Sequence, residues 1–182
     1  TKLYDLRYGE NPHQVATLYS DPLSPGGIAG ARQLHGKELS FNNLLDADAA
    51  WRVVSDFTDP VTAVIKHTNP CGLALHADQV VAYQRAFEGD SVSAYGGIVG
   101  FNRPVTAATA DAMRGVFYEI VLAPGYEPEA LDSLKKRRNL RILEVTPTPL
   151  LRGECEDDVR PITGGALVQN RDDLEEDSSF WK

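Results

Sequence analysis

The chain has 182 residues, with 18 Lys and Arg against 26 Asp and Glu for a formal charge of −8, and is 42% hydrophobic and 24% charged. Such a balance belongs to a chain that buries a core, most simply as one domain, while its overall negative field disfavours nucleic acid and anionic membranes as partners. Cys71 and Cys155 lie far apart and carry no CxxC or Cys/His spacing, so neither a disulfide framework nor a zinc site is indicated, and a reducing cytoplasm is the expected location.

No apolar stretch approaches the roughly 18 to 20 residues that span a bilayer, and the opening "TKLYDLRYGENPHQ" lacks a signal-peptide core. Residues 1–40 are rich in Gly, Pro and His without sustained periodicity and read as an irregular opening segment. Within it, "LRYGENPHQ" gathers Arg7, Tyr8, Asn11, His13 and Gln14 around Gly9 and Pro12. The guanidinium suits a phosphate or a carboxylate, and a plain polar turn with Arg7 ion-paired at the surface fits the segment equally well.

From Asn42, "NNLLDADAAWRVVSDF" places Leu44, Leu45, Asp48, Ala49, Trp51 and Val54 at mostly helical intervals, which predicts a helix over 42–56 with Ser40 or Asn42 as N-cap. "TAVIKH" is short, apolar and β-branched between Pro60 and Pro70, so it reads as a buried strand, with the chain turning at once through Thr68 to Gly72. A helix over "ADQVVAYQRAFEGD", a strand over "GGIVGFN", a helix over "TAATADAMRGVF", a strand over "EIVLAPG", a helix over "EPEALDSLKKRR" opened by Pro128, and a strand over "LRILEV" follow. The tail holds one strand near 165–169 and then an acidic run that reads as solvated surface.

Alternation of this kind points to an α/β layer sandwich with some parallel pairing, in which ligands gather beyond the carboxyl ends of the strands. The "TAVIKH" strand ends on Lys66 and His67. An amine desolvated beside an imidazole loses its proton more readily, and such a pair suits acyl or formyl transfer, which needs one group to take a proton and another to donate to a developing oxyanion. By itself the dipeptide is better explained by Lys66 snorkelling to the surface and His67 hydrogen-bonding to backbone. "SAYGGIVGFN" offers Gly96 and Gly97 for close approach of a ligand or for a tight bend. His13, His35 and His76 are scattered without metal-binding spacing, and "PCG" after His67 lacks the second cysteine and the HxE of a zinc deaminase.

Taken in order, "LRYGENPHQ", "GKELSFNNLLDADAAW", "VIKHTNPCG", "SAYGGIVGFN", "VLAPGYEPEAL" and "ITGGALVQNRD" closely resemble the transformylase part of the bifunctional purine biosynthesis enzymes. These join aminoimidazole carboxamide ribonucleotide (AICAR) transformylase to inosine monophosphate (IMP) cyclohydrolase, and the resemblance runs over essentially the whole chain. It implies formyl transfer from the cosubstrate 10-formyltetrahydrofolate to the 5-amino group of AICAR. Lys66 and His67 match the family's catalytic Lys-His pair, with the division of their proton roles open. Arg7 and Tyr8 match nucleotide-binding residues, Arg7 at the phosphate, and Gly96 and Glu119 match positions lining the nucleotide pocket. Lys135 or Lys136 adds phosphate charge or, more simply, closes a helix with cations.

The resemblance further implies a cytidine-deaminase-like three-layer α/β subdomain without the deaminase zinc, no catalytic metal, and an intertwined homodimer. The cyclohydrolase region and a second transformylase subdomain, with an asparagine that assists the Lys-His pair and much of the folate pocket, are not in this sequence. The expectation is therefore a first subdomain, inactive by itself. The alternatives are a non-catalytic purine-nucleotide-binding module and a dimerisation module.

Overall fold

A computed structural model of the chain describes residues 1–22, 26–147 and 157–170. They fall in two units, Thr1–Thr148 and Pro149–Lys182. In the first unit the elements run β1 (Lys2–Asp5), β2 (Thr17–Tyr19), β3 (Arg32–His35), α1 (Phe41–Ser55), β4 (Val61–Lys66), β5 (Asn69–Leu75), α2 (Gln79–Gly89), β6 (Gly97–Phe101), α3 (Ala107–Ala112), β7 (Tyr118–Ala123), α4 (Pro128–Lys135) and β8 (Arg141–Glu144). Every helix and strand expected between residues 42 and 144 is present. Two differences stand out. The opening segment contains three strands, and the stretch expected to turn through Gly72 is strand β5.

Six strands form one mixed sheet in the order β3-β8-β7-β6-β4-β5. The pairs β6/β7 and β7/β8 are parallel, as α3 and α4 cross over between them, whereas β4 runs antiparallel to both β5 and β6 and β3 antiparallel to β8. Strand residues alternate between two cores. Ala63, Ile65, Ile98, Ile120, Leu122 and Leu143 point to one face and pack with Leu44, Ala47, Ala50, Trp51 and Val54 of α1. Val64, Val99, Phe101, Val121 and Ile142 point to the other and pack with Tyr83 and Ala86 of α2, Ala110 and Met113 around α3, and Ala130 and Leu134 of α4. The result is a three-layer α/β/α arrangement, built because the central strands are apolar on both faces and each face needs a helical cover.

The caps explain where the helices start. Ser40 Oγ accepts from Asn43 N at 3.2 Å while Asn43 Oδ1 accepts from Ser40 N at 3.2 Å, a reciprocal capping box that selects Ser40 over Asn42 as the N-cap of α1. Asp78 caps α2, Thr106 caps α3, and Pro128 opens α4. Inside the second core the Tyr83 and Tyr118 hydroxyls lie 2.9 Å apart, so two buried phenols satisfy each other.

Strands β1 and β2 form a separate antiparallel ribbon, and Leu6 at its mouth packs into the α1 core. In the second unit β9 (Asp157–Ile162) and β10 (Gly165–Asn170) form an antiparallel hairpin paired from Asp157↔Asn170 to Ile162↔Gly165. β10 covers the strand expected near 165–169, and β9 is additional. The acidic run lies outside the described residues.

Gly72 packs β5 against α2 so closely that a Cβ there would sit 2.0 Å from the carbonyl oxygen of Ala86. Gly72→Ala must therefore push helix from strand and is expected to cost about 2 to 3 kcal/mol in urea unfolding. Ser40→Ala, which removes only the cap, is expected to cost about 1 kcal/mol. Equal midpoints for Gly72→Ala and the parent would show that β5 and α2 do not meet there.

Candidate functional site

Two residues, His67 and Thr68, join β4 to β5, with Lys66 paired opposite Asn69. Their φ values of +52° and +60° put both in the left-handed region that a primed two-residue hairpin turn requires. Glycine and asparagine usually occupy such positions, and a β-branched Thr68 there is strained by about 1 to 3 kcal/mol. The tip is held by identifiable bonds. Thr68 N donates to Asp46 Oδ1 of α1 at 2.8 Å, and Thr68 Oγ1 and Asn69 Nδ2 donate to the His67 carbonyl oxygen at 2.7 and 2.8 Å. The imidazole of His67 thus stands on an exposed, tightly bonded tip.

Lys66 is half-buried, and its Nζ donates to the Tyr95 carbonyl oxygen at 2.8 Å. The expected turn from Thr68 through Gly72 is replaced by this sharper reversal because β5 is an edge strand, where Pro70 is tolerated, and because the pairing skips Cys71 between Ile65↔Pro70 and Val64↔Gly72. Burial pushes the Cys71 thiol up, away from the thiolate form. Hydrogen bonds from Ser93 hold the Asp90 carboxyl below its ordinary range.

A cavity of about 390 Å³ opens near this tip, lined by Arg7, Tyr8, Lys37, Ser40, Asn42, Asn43, Phe117, Glu119, Asn139 and Arg141. Each wall has a local origin. Arg7 and Tyr8 come from the loop between β1 and β2, where the guanidinium lies 5.1 Å from the Tyr8 ring centre. That loop closes on itself: Gly9 N donates to Gln14 O at 2.9 Å and Asn11 N to Gln14 Oε1 at 2.6 Å. Asn11 and Gln14 therefore shape the loop, while His13 is exposed. Ser40, Asn42 and Asn43 bring the amino terminus of α1, whose dipole favours an anion.

Glu119 and Arg141 enter from the first residues of β7 and β8 and form an ion pair at 2.6 Å, with the Arg141 side chain 9% and the Glu119 side chain 38% exposed. Arg141 Nε also donates to the Glu38 carbonyl oxygen at 3.1 Å. The cavity walls therefore carry three cations, Arg7, Lys37 and Arg141, against one carboxylate, in a chain of net charge −8. A local field of that sign suits a phosphorylated ligand.

Of the expected nucleotide contacts, Arg7, Tyr8 and Glu119 meet in this cavity. Gly96 stands beside it: its φ is +76°, its N–H donates to the Phe117 carbonyl oxygen at 2.8 Å, and a Cβ there would reach the Phe117 ring at 3.8 Å. Lys66 and His67 do not line the cavity. They are connected to it through Tyr95, whose carbonyl accepts from Lys66 and whose ring lies 5.4 Å from the Phe117 ring. Lys135 and Lys136 close α4 and do not reach the cavity. His35 Nε2 lies 3.2 Å from the Arg137 carbonyl oxygen and His76 Nδ1 accepts from Asp78 N at 3.0 Å, so both serve the scaffold.

The cavity is not on the side expected for ligands, beyond the carboxyl ends of the strands. The cavity lies at the amino ends of the parallel strands β7 and β8. Antiparallel β4 delivers Lys66 at its own carboxyl end to that same side, since Ile65 pairs with Ile98 near the start of β6. Sequence reasoning missed Lys37, Asn43, Asn139 and Arg141. Among the described residues, no three His, Cys, Asp or Glu side chains are grouped as metal ligands, and no helix is long and apolar enough to cross a membrane.

Residues 1–182 match the family described as the AICARFT/IMPCHase bienzyme. The chain is 50% identical over 189 residues to the bifunctional purine biosynthesis protein purH of Dictyostelium discoideum. It is 50% identical over 183 residues to PurH of Nostoc punctiforme and 48% identical over 182 residues to PurH of Thermoanaerobacter sp.. In each case 100% of this chain is aligned, and it spans 35% of the relative's length. The chain belongs to the AICARFT/IMPCHase bienzyme family.

Proposed function

We propose that the chain is the first subdomain of the transformylase part of such a bienzyme, working in the cytoplasm in purine synthesis. It holds AICAR in the cavity and presents Lys66 and His67 for formyl transfer from 10-formyltetrahydrofolate. One observation carries this reading: Arg7, Tyr8 and Glu119, from two segments remote in sequence, meet with Lys37 and Arg141 in one positively charged cavity. The cytidine-deaminase-like topology, the homodimer and the folate cosubstrate belong to the same proposal.

Arg7 and Lys37, with the amino terminus of α1, hold the phosphate, and Glu119 accepts from a ribose hydroxyl while Arg141 fixes its position. At the base end His67 takes the proton released as the amine attacks the formyl carbon, directly or by way of the carboxamide. Lys66, held as a donor by one bond to Tyr95, keeps further N–H groups for the formyl oxygen or the departing folate nitrogen. The remaining groups are supplied by the length of the bienzyme that this chain does not span. A second reading, a nucleotide-binding module without catalysis, is favoured by the absence of Lys66 and His67 from the cavity wall.

Calorimetric titration with AICAR, with inosine as the control that lacks a phosphate, tests the pocket. Saturable binding that requires the phosphate is expected, weakened tenfold or more in Arg7→Ala and in Lys37→Ala, since a charge-assisted hydrogen bond contributes about 1.5 to 3 kcal/mol. No binding at millimolar AICAR would sink the assignment of the cavity.

Turnover separates the two readings. In the full-length bienzyme that carries this segment, Lys66→Ala and His67→Ala are each expected to lower formyl transfer by about 10²- to 10⁴-fold with AICAR still bound. This chain by itself is expected to show none above background, because even a roughly 1 Å misplacement of reacting groups costs about a hundredfold. Full transfer by the His67→Ala bienzyme would leave the binding module as the surviving reading.

A further inference from the structure

The hairpin tip that carries His67 is bonded to an element it does not need for its own closure. A two-residue turn is complete with the pairing of Lys66 and Asn69, and the N–H of its second residue is ordinarily left to water. Here that N–H, on Thr68, reaches the Asp46 carboxylate of α1 at 2.8 Å. Thr68 and His67 both sit at positive φ, where a β-branched residue does not remain without support. The same helix builds the cavity wall one turn earlier, because Asn42 and Asp46 are four residues apart and share a face, and Asn42 lines the cavity. Asn42 Nδ2 also donates to the Glu10 carbonyl oxygen, within the loop that carries Arg7 and Tyr8, at 3.4 Å.

We propose that Asp46 is a positioning residue: its carboxylate fixes the left-handed tip through Thr68 N–H and so sets the imidazole of His67 relative to the α1 wall of the nucleotide pocket. This rests on the reading that His67 takes part in formyl transfer. Asp46 touches no reacting atom. It acts by removing the freedom of two backbone residues whose intrinsic preference lies elsewhere, which is the freedom that would let the imidazole drift out of reach of a bound amine.

The test uses the full-length bienzyme with Asp46→Ala, Asp46→Asn, the double variant Asp46→Ala with Thr68→Gly, and His67→Ala. The kcat, the KM for AICAR and the ¹³C-labelled histidine ring signals are read for each, the His67 signal being identified by its loss in His67→Ala. Asp46→Ala is expected to lower kcat at least thirtyfold with KM within threefold, and to move the His67 ring signal toward that of an unstructured histidine. Asp46→Asn, whose amide oxygen accepts the same bond, is expected to stay within fivefold of the parent.

In the double variant glycine adopts the left-handed turn freely, so thermal stability is expected to return while kcat stays low. Recovery of kcat together with stability would make Asp46 a mere stabiliser of the turn and overturn the proposal, as would an Asp46→Ala enzyme with kcat within threefold and an unmoved His67 signal. Full transfer by His67→Ala would remove the catalytic reading of His67 instead. The ring signal then decides the clamp alone: moved in Asp46→Ala it stands, unmoved it falls.

Discussion

Strand β4 runs against the direction of β6, β7 and β8, and the position of Lys66 and His67 relative to the cavity depends on that reversal. Its interior residues from Val61 to Ile65 are buried, with Ala63 and Ile65 in one core and Val64 in the other. A slip of one residue in the pairing would exchange the two sets and put each against the wrong helices, so register is fixed by packing on both faces. Fixing the register also fixes where the strand ends. Lys66 and the turn beyond it emerge at the amino ends of β7 and β8, where Glu119 and Arg141 begin their strands and where α1 starts. The usual rule for parallel sheets points to the opposite side, and the antiparallel direction of β4 brings Lys66 and His67 to this one.

Electrostatics follow from the same placement. A net charge of −8 repels a phosphorylated ligand at long range, yet exposed charges more than about 10 Å away are largely screened at ordinary ionic strength. In the proposed complex a phosphate would meet the wall of the cavity, with Arg7, Lys37 and the amino terminus of α1. Arg141 contributes less field than its formal charge suggests, because Glu119 lies 2.6 Å from its guanidinium. That pair does something else: it pins a carboxylate, half open to solvent, at the start of a rigid strand, where it can accept hydrogen bonds from a neutral polar ligand group.

The elements most legible in the sequence were those whose apolar content outweighs local signals. "TAVIKH", "GGIVGFN" and "EIVLAPG" read as strands because their interiors, buried on both faces, are made of apolar or small side chains. β5 was hidden because Asn69, Pro70 and Gly72 read as turn formers, and only its place at the sheet edge, packed on α2, makes them acceptable. β3, with Arg32, Gln33 and His35, has no alternation to detect and exists by pairing with β8. The site divides in the same way. Lys66 and His67 stand out as neighbours in the chain, and Arg7 and Tyr8 as members of a dense polar segment. Lys37 and Arg141 carry no local mark, since a cation at the edge of a strand looks like surface until the sheet brings β3 and β8 side by side.

Holding a phosphate and moving a proton demand different precision, and on the proposed function the chain would meet them with different backbone. Coulombic attraction falls only as the inverse of distance, so an exposed guanidinium on a loop that closes through Gly9, Asn11 and Gln14 can serve without exact placement. Proton transfer needs heavy atoms within about 2.6 to 3.2 Å, and each free backbone residue between the acceptor and the scaffold works against that. A turn of two residues is the shortest connection a hairpin allows, and here both residues are committed to a left-handed conformation and bonded on either side. The strain in Thr68 is the cost of ending a buried strand on an amine and an imidazole with almost no loop between them and the sheet.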